Sequence, residues 1–296
     1  MNISLSGSTG FVGRNLIPYL QERNREVKPI DLRNTPSDQW IGESEVIIHL
    51  AGLAHDLKNT RDSNAYHVVN FELTRDLFDQ FLKSSDSKVF IFISSIKALK
   101  DHADDWLTET MEPDPSTPYG ISKRRAEAYL LDHTPNDKTV IILRPCMIHG
   151  PGNKGNLNLL YQVAKRGLPW PLGAFENQRS FLSIQNFCFV IEQLLKNPIP
   201  SGIYHISDNE PVSTNQIIRL MAQGLNKKPI IWKLPKGFVQ GIAYIGTYLK
   251  LPLNLERLSK LTENYRVSNR KLMEALGTEL PVDAFKGLTN TITSFE

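Results

Sequence analysis

Two cysteines in 296 residues leave no room for a disulfide framework. Cys146 and Cys188 stand far apart, with no Cys-x-x-Cys or Cys/His spacing, and read as reduced, buried thiols of a cytoplasmic chain. A strong charge of one sign is also missing. The formal net charge is +3 with Lys and Arg scattered, which excludes the basic stripe of a nucleic-acid binder but suits a phosphorylated ligand. Long apolar runs are absent: Val89 to Ile93 and Thr139 to Leu143 are strand-length and far too short to cross a bilayer. The start, Met1-Asn2-Ile3-Ser4-Leu5, enters an apolar run without a charged leader, and there is no repeat or low-complexity tract. These absences lead us to expect a soluble protein with no integral membrane segment.

What is present is alternation. Apolar strands are expected at Ile3 to Ser6, Val27 to Ile30, Val46 to Leu50, Val89 to Ile93 and Val140 to Leu143. Between them lie helical spacings at Val12 to Glu22, Ala65 to Ser84 and Tyr119 to His133, and a polar, Pro-rich loop at Asp101 to Pro118. Near-continuous apolar strands alternating with helices indicate an α/β fold, a parallel sheet covered on both faces. After Arg144-Pro145 loops lengthen and helices predominate, with one more strand at Gly202 to Ile206 and a helix at Ser213 to Leu225. Residues 1–145 are expected to form a nucleotide-binding domain, to which later segments such as 180–206 return. Residues 146–296 supply mainly a smaller, mixed substrate lobe.

Gly7-Ser8-Thr9-Gly10-Phe11-Val12-Gly13 follows the first strand and opens the first helix. That order gives a tight turn, close backbone approach and free N–H groups, the requirements for holding a pyrophosphate. Asp31 closes the second strand, where a carboxylate can hydrogen-bond an adenosine ribose. It favours NAD, whereas Arg33, two residues on, could pair with the 2′-phosphate of NADP.

Tyr119 and Lys123 are four apart on one helix face, and a nearby cation lowers a phenol's pKa from its ordinary ~10. Ser94-Ser95 ends the fourth strand, at the edge where a nicotinamide would lie, and Ser95 is the candidate to hold the reacting oxygen. Ser95, Tyr119 and Lys123 are the expected catalytic set. Lys123 can also bind the cofactor ribose.

On these residues the sequence resembles the extended short-chain dehydrogenases, and within them the NAD-dependent epimerase/dehydratase family. The resemblance rests on Gly7, Gly10 and Gly13, His49-Leu50-Ala51-Gly52, Val69-Asn70, Ser94-Ser95, Tyr119 with Lys123, Leu143-Arg144-Pro145, Gly150-Pro151-Gly152 and Arg179-Ser180-Phe181. It implies a Rossmann-type doubly wound sheet, a homodimer, and a cofactor beside Phe11, Val12, Leu50, Ala51, Gly52, Asn70, Ser94 and Pro145. It further implies that Gly155-Asn156-Leu157 binds the nucleotide of a UDP-sugar and that Arg179 contacts its diphosphate.

There are departures. Members that remove water carry an Asp-Glu pair where this chain has Ile96 and Lys97, so dehydration is disfavoured. Met147 stands where epimerases have asparagine, and His149 where tyrosine is common. Lys97 either touches phosphate or sugar or is a solvated loop lysine, and His55 could line the substrate pocket. His49 reads as a packed strand residue, and no metal site is expected. The apolar stretch Phe238 to Leu249 suits core, a dimer face or a membrane-peripheral contact.

The expected reaction is 4-epimerisation of a UDP-hexose or UDP-N-acetylhexosamine, with hydride transfer at C4. The alternatives are reduction of a UDP-4-keto-6-deoxy sugar, and a dinucleotide-binding scaffold without chemistry.

Overall fold

The computed structural model describes residues 1–53, 62–153, 156–197, 199–249, 251 and 253–295, without the side chain of Asn156. His55 lies outside the described residues.

Six strands form one sheet: β1 (Asn2–Ser6), β2 (Glu26–Ile30), β3 (Val46–His49), β4 (Val89–Ile93), β6 (Thr139–Pro145) and β9 (Gly202–Ile206). Their order is β2-β1-β3-β4-β6-β9, and every pairing is parallel. Side chains alternate between faces with the period of two that a pleated strand imposes. Ile3, Leu5, Val46, Ile48, Ile91, Ile93, Ile141 and Leu143 enter one core with α1 (Phe11–Gln21) and α6 (Ile184–Lys196). Ile47, Phe90, Phe92, Val140 and Ile142 enter the other, with α3 (Leu73–Lys83) and α4 (Pro118–Asp132). The sheet is therefore a middle layer, buried on both sides.

α2 (Ser63–His67) runs into α3 through a π turn at Val68–Glu72. A third core joins α5 (Asn156–Lys165), α7 (Thr214–Gly224), α8 (Lys236–Tyr248), α9 (Leu255–Thr262) and α11 (Ala284–Thr293), through residues such as Leu160, Ile218, Ala243, Leu258 and Leu288. α10 (Arg270–Leu276) packs beside β9.

Two small sheets bind remote segments together: β5 (Trp106–Leu107) with β10 (Arg266–Val267), and β7 (Met147–His149) with β8 (Phe181–Ser183). The loop expected across Asp101 to Pro118 thus contains a strand. Two residues paired 160 positions away leave no periodic trace in the sequence. Among the described residues, no helix is long and apolar enough to cross a membrane.

Strand order reverses at β1 and β3. In such sheets the crevice beyond the carboxyl ends of these strands is where ligands bind.

Candidate active site

Gly7 leaves β1 in the left-handed region (φ +78°). A Cβ there would lie 2.6 Å from the Ala51 nitrogen, and one on Gly13 would lie 2.4 Å from the Gly7 oxygen. Packing thus demands both glycines. A Cβ on Gly10 would meet only the Gly7 oxygen, at 3.4 Å. Gly10 keeps the space before α1 clear instead. The first turn of α1 carries no acid and its N-cap no side-chain hydrogen bond, so its N–H groups and dipole are free for an anion. Phe11 and Val12 are half-buried at this turn. A dinucleotide's pyrophosphate fits these residues.

Asp31, exposed after β2, accepts hydrogen bonds from the Asn34 side chain (2.7 Å) and from the Arg33 and Asn34 nitrogens. These bonds, led by Asn34, hold its carboxyl below the usual range. Arg33 is exposed beside it.

After β3, Leu50 and Ala51 are half-buried, and Ala51 donates its N–H to the Ser6 hydroxyl. His49 is packed in its strand: its ring bonds the Ser6 hydroxyl at 2.6 Å and the Thr74 hydroxyl at 2.8 Å. Asn70, buried in the π turn, accepts from the Leu53 nitrogen (2.7 Å) and donates to the Ser122 hydroxyl (3.1 Å). It therefore ties the loop after β3 to α4. A π turn inside an α-helix is frequent at functional sites, where it re-aims side chains.

α4 starts where local chemistry sets it. Thr117 caps it by accepting from the Gly120 nitrogen, and Pro118 fills the first helical position, where no N–H is needed. Asp101 fixes the preceding loop through four hydrogen bonds from Ser116 and Thr117. A Cβ on Gly120 would lie 2.4 Å from the Lys97 oxygen, so only glycine lets α4 approach the turn that follows β4. This contact brings the Tyr119 phenol into hydrogen bonding with Ser95.

Burial pushes the Tyr119 phenol above the ordinary range, the bond to Ser95 opposes this, and Tyr66, edge-on at 6.0 Å, adds to the rise. Lys123 is buried, and its ammonium donates to the Ile93 carbonyl at 3.0 Å. Burial lowers it to about 8, against an opposing pull from Glu127. The lowering of Tyr119 expected from Lys123 does not occur in this arrangement, because the ammonium is turned to the end of β4.

Ser94 and Ser95 diverge. The Ser94 hydroxyl donates to Glu127 at 2.5 Å, and Glu127 holds Arg144 through two bonds of 2.9 and 2.6 Å, all three residues buried. Ser94 thus anchors the strand end from beneath. Ser95 caps the next turn by accepting from the Lys97 nitrogen. Pro145 ends β6 at the same edge of the sheet.

On the lobe side, the Lys97 ammonium donates to the Asp101 carbonyl (2.5 Å) and lies 4.4 Å from the centre of the Tyr265 ring. Burial lowers its pKa, opposed by Asp101 and Glu263 and assisted by Arg179 and Lys260. Lys97 is thus part of a cluster rather than a solvated loop residue. Arg179 donates to the Lys260 carbonyl and sits 3.5 Å from Glu263. Burial lowers it as well.

Leu157 is buried in the lobe core, so its side chain does not face a pocket. His149 is turned inward, 2.8 Å from the Thr291 hydroxyl and 3.8 Å from Asp208. Tyr66, Glu127 and Glu263 were not anticipated; the sequence signals were the two separate helical stretches that carry Tyr66 and Glu127. Among the described residues, no group of three or more His, Cys, Asp or Glu could hold a metal.

The profile of the NAD dependent epimerase/dehydratase family matches residues 3–207. A UDP-glucose 4-epimerase of Vibrio cholerae is 29% identical over 99% of this chain and 95% of its own length. An N-acetyl-alpha-D-glucosaminyl-diphospho-ditrans,octacis-undecaprenol 4-epimerase of Escherichia coli O157:H7 is 29% identical over 94% of this chain and 86% of its own. The structure of UDP-glucuronic acid 4-epimerase from Bacillus cereus in complex with NAD shares the fold. Its TM-score is 0.78 and its identity 18%, over 100% of this chain and 98% of that one.

Proposed function

The chain belongs to the NAD dependent epimerase/dehydratase family, and on that premise we propose that it is a 4-epimerase of a UDP-hexose or UDP-N-acetylhexosamine. The observation that carries this reading is the hydrogen-bonded pair Ser95 and Tyr119, with Lys123 one helical turn on, beyond the carboxyl end of β4. Both relatives' names specify a 4-epimerase acting on a sugar linked through diphosphate.

Gly7, Gly10, Gly13 and the start of α1 would hold the pyrophosphate of NAD, Asp31 its adenosine ribose, and Lys123 its second ribose. Leu50, Ala51, Gly52, Asn70 and Pro145 would line it. When bound, the dinucleotide supplies a hydride acceptor that can return the hydride. Tyr119 takes the proton of the C4 hydroxyl as general base and gives it back to the turned-over 4-keto sugar. Ser95 keeps a hydrogen bond to that oxygen throughout. Lys123 bonds the Ile93 carbonyl as it stands, so in this proposal its ammonium would favour the basic form of Tyr119 only once it turns to the cofactor ribose. Arg179 and Lys97 would face the diphosphate of the substrate.

The division of labour belongs to the same proposal. Residues 1–145, with 180–206 returning, bind the cofactor, and 146–296 mainly the sugar nucleotide. The return of β9 to the sheet and the separate lobe core support it. A cytoplasmic homodimer completes the reading, supported by two unpaired, buried cysteines and by the family resemblance.

The same three residues would serve a 4-ketoreductase, so the test is nucleotide release and turnover with a panel of UDP-sugars. Retained NAD, and a 4-epimer formed without coenzyme consumption, is the expected result. Consumption of NADH or NADPH only with a 4-keto sugar would replace the epimerase by a reductase, and no dinucleotide binding at all would leave a scaffold.

A further inference from the structure

α8 packs into the lobe through a narrow stripe, Val239, Ala243 and Gly246. The fit is tight, because a Cβ on Gly246 would overlap the Leu253 carbonyl. Phe238, Ile242 and Ile245, each one residue earlier, repeat the same spacing and Leu249 extends it, so a second apolar stripe lies about 100° round the helix. All four are exposed, Phe238 at 60% and Leu249 at 63%. Tyr244 and Tyr248 flank them, the latter 84% exposed, and Trp232 is exposed just before the helix. One exposed apolar residue needs no explanation; a continuous stripe with aromatic flanks does.

The acids around this stripe are patterned even though the cations look scattered. Between Glu210 and Glu256 the chain has no Asp or Glu, while it carries Arg219, Lys227, Lys228, Lys233, Lys236 and Lys250. This stretch alone holds more positive charge than the whole chain's net +3.

We propose that the exposed face of α8 docks on an anionic lipid surface. Apolar side chains enter the headgroup boundary, Trp232, Tyr244 and Tyr248 take the interfacial level, and the lysines meet lipid phosphates. A second copy fits the face less well. A two-fold contact sets a patch against itself, and this acid-free segment would meet its own cations unpaired. Docking here also brings the lipid surface near the site. α8 packs on α9, whose Lys260 carbonyl holds Arg179, and eight residues of helix span about 12 Å.

The experiment is sedimentation of the full chain with vesicles of phosphatidylcholine mixed with phosphatidylglycerol, and with phosphatidylcholine alone. Retention on the mixed vesicles is expected, falling as salt rises and by about fivefold for each lysine removed in Lys233→Gln and Lys236→Gln. Phe238→Ser with Ile245→Ser should abolish retention while leaving the melting temperature and turnover of a soluble substrate unchanged. A chain that stays in solution with the mixed vesicles, whether single or self-associated, overturns the proposal. So does equal retention on neutral lipid, or retention that survives the double serine variant.

Discussion

The sheet edge and the lobe hold their polar side chains in different ways. At the edge, His49, Asn70 and Ser94 with Glu127 and Arg144 form closed sets whose members come from different elements and are buried together. On the lobe side, Arg179 and the Lys97 side chain that reaches across from the turn after β4 are held mainly by backbone carbonyls, with Asp101 and Glu263 nearby. The first arrangement fixes geometry before any ligand arrives, whereas the second leaves charged groups that a ligand can recruit. A reacting hydroxyl needs the former; a changeable sugar nucleotide can be served by the latter.

The sharpest way to break this contrast is Tyr119→Phe. It should lower kcat by about a thousandfold, within the range general acid–base catalysis contributes, with dinucleotide binding retained in a fluorescence titration. Unchanged turnover would remove the edge from the chemistry. Arg179→Ala should act the other way, raising KM by about 10- to 100-fold, the loss of one charged hydrogen-bonding partner, with kcat nearly unaltered. A fall in kcat with constant KM would move Arg179 to the reacting centre.

The smallest effect concerns pH. Burial pushes both His49 and His205 down to about 3, against an ordinary value of ~6.5. Between those values the unfolded chain binds more protons than the folded one, so stability is full above pH ~6.5 and declines as pH falls. The slope should reach at most ~1.4 kcal/mol per pH unit for each histidine, read from urea unfolding at a series of pH values. His49→Asn should reduce that slope, and an unaltered slope would assign it elsewhere.

Much of the edge was legible in the sequence because its signals are periodic or local. Apolar runs marked the strands, the glycine turn preceded a helix, and Tyr119 and Lys123 were four apart. What escaped depends on contacts between distant segments. Nothing local in the sequence sets Glu127 apart, because its partners Arg144 and Ser94 come from the ends of two separate strands. Leu157, expected against a nucleotide, lies in the lobe core, since half an amphipathic helix must face inward. The lowering of Tyr119 by Lys123 followed from spacing alone, but spacing does not say where an ammonium points. The apolar stretch from Phe238 to Leu249 was visible in composition, whereas its unburied half needed the packing of α8.

The close approach of Gly120 to the Lys97 carbonyl works as a mechanical stop. The approach of α4 that carries the phenol is limited by two main chains in contact rather than by a side chain between them. Substrate preference can then drift through groups the stop leaves adjustable, such as Arg179. One reaction geometry can be inherited intact while the sugar it serves changes.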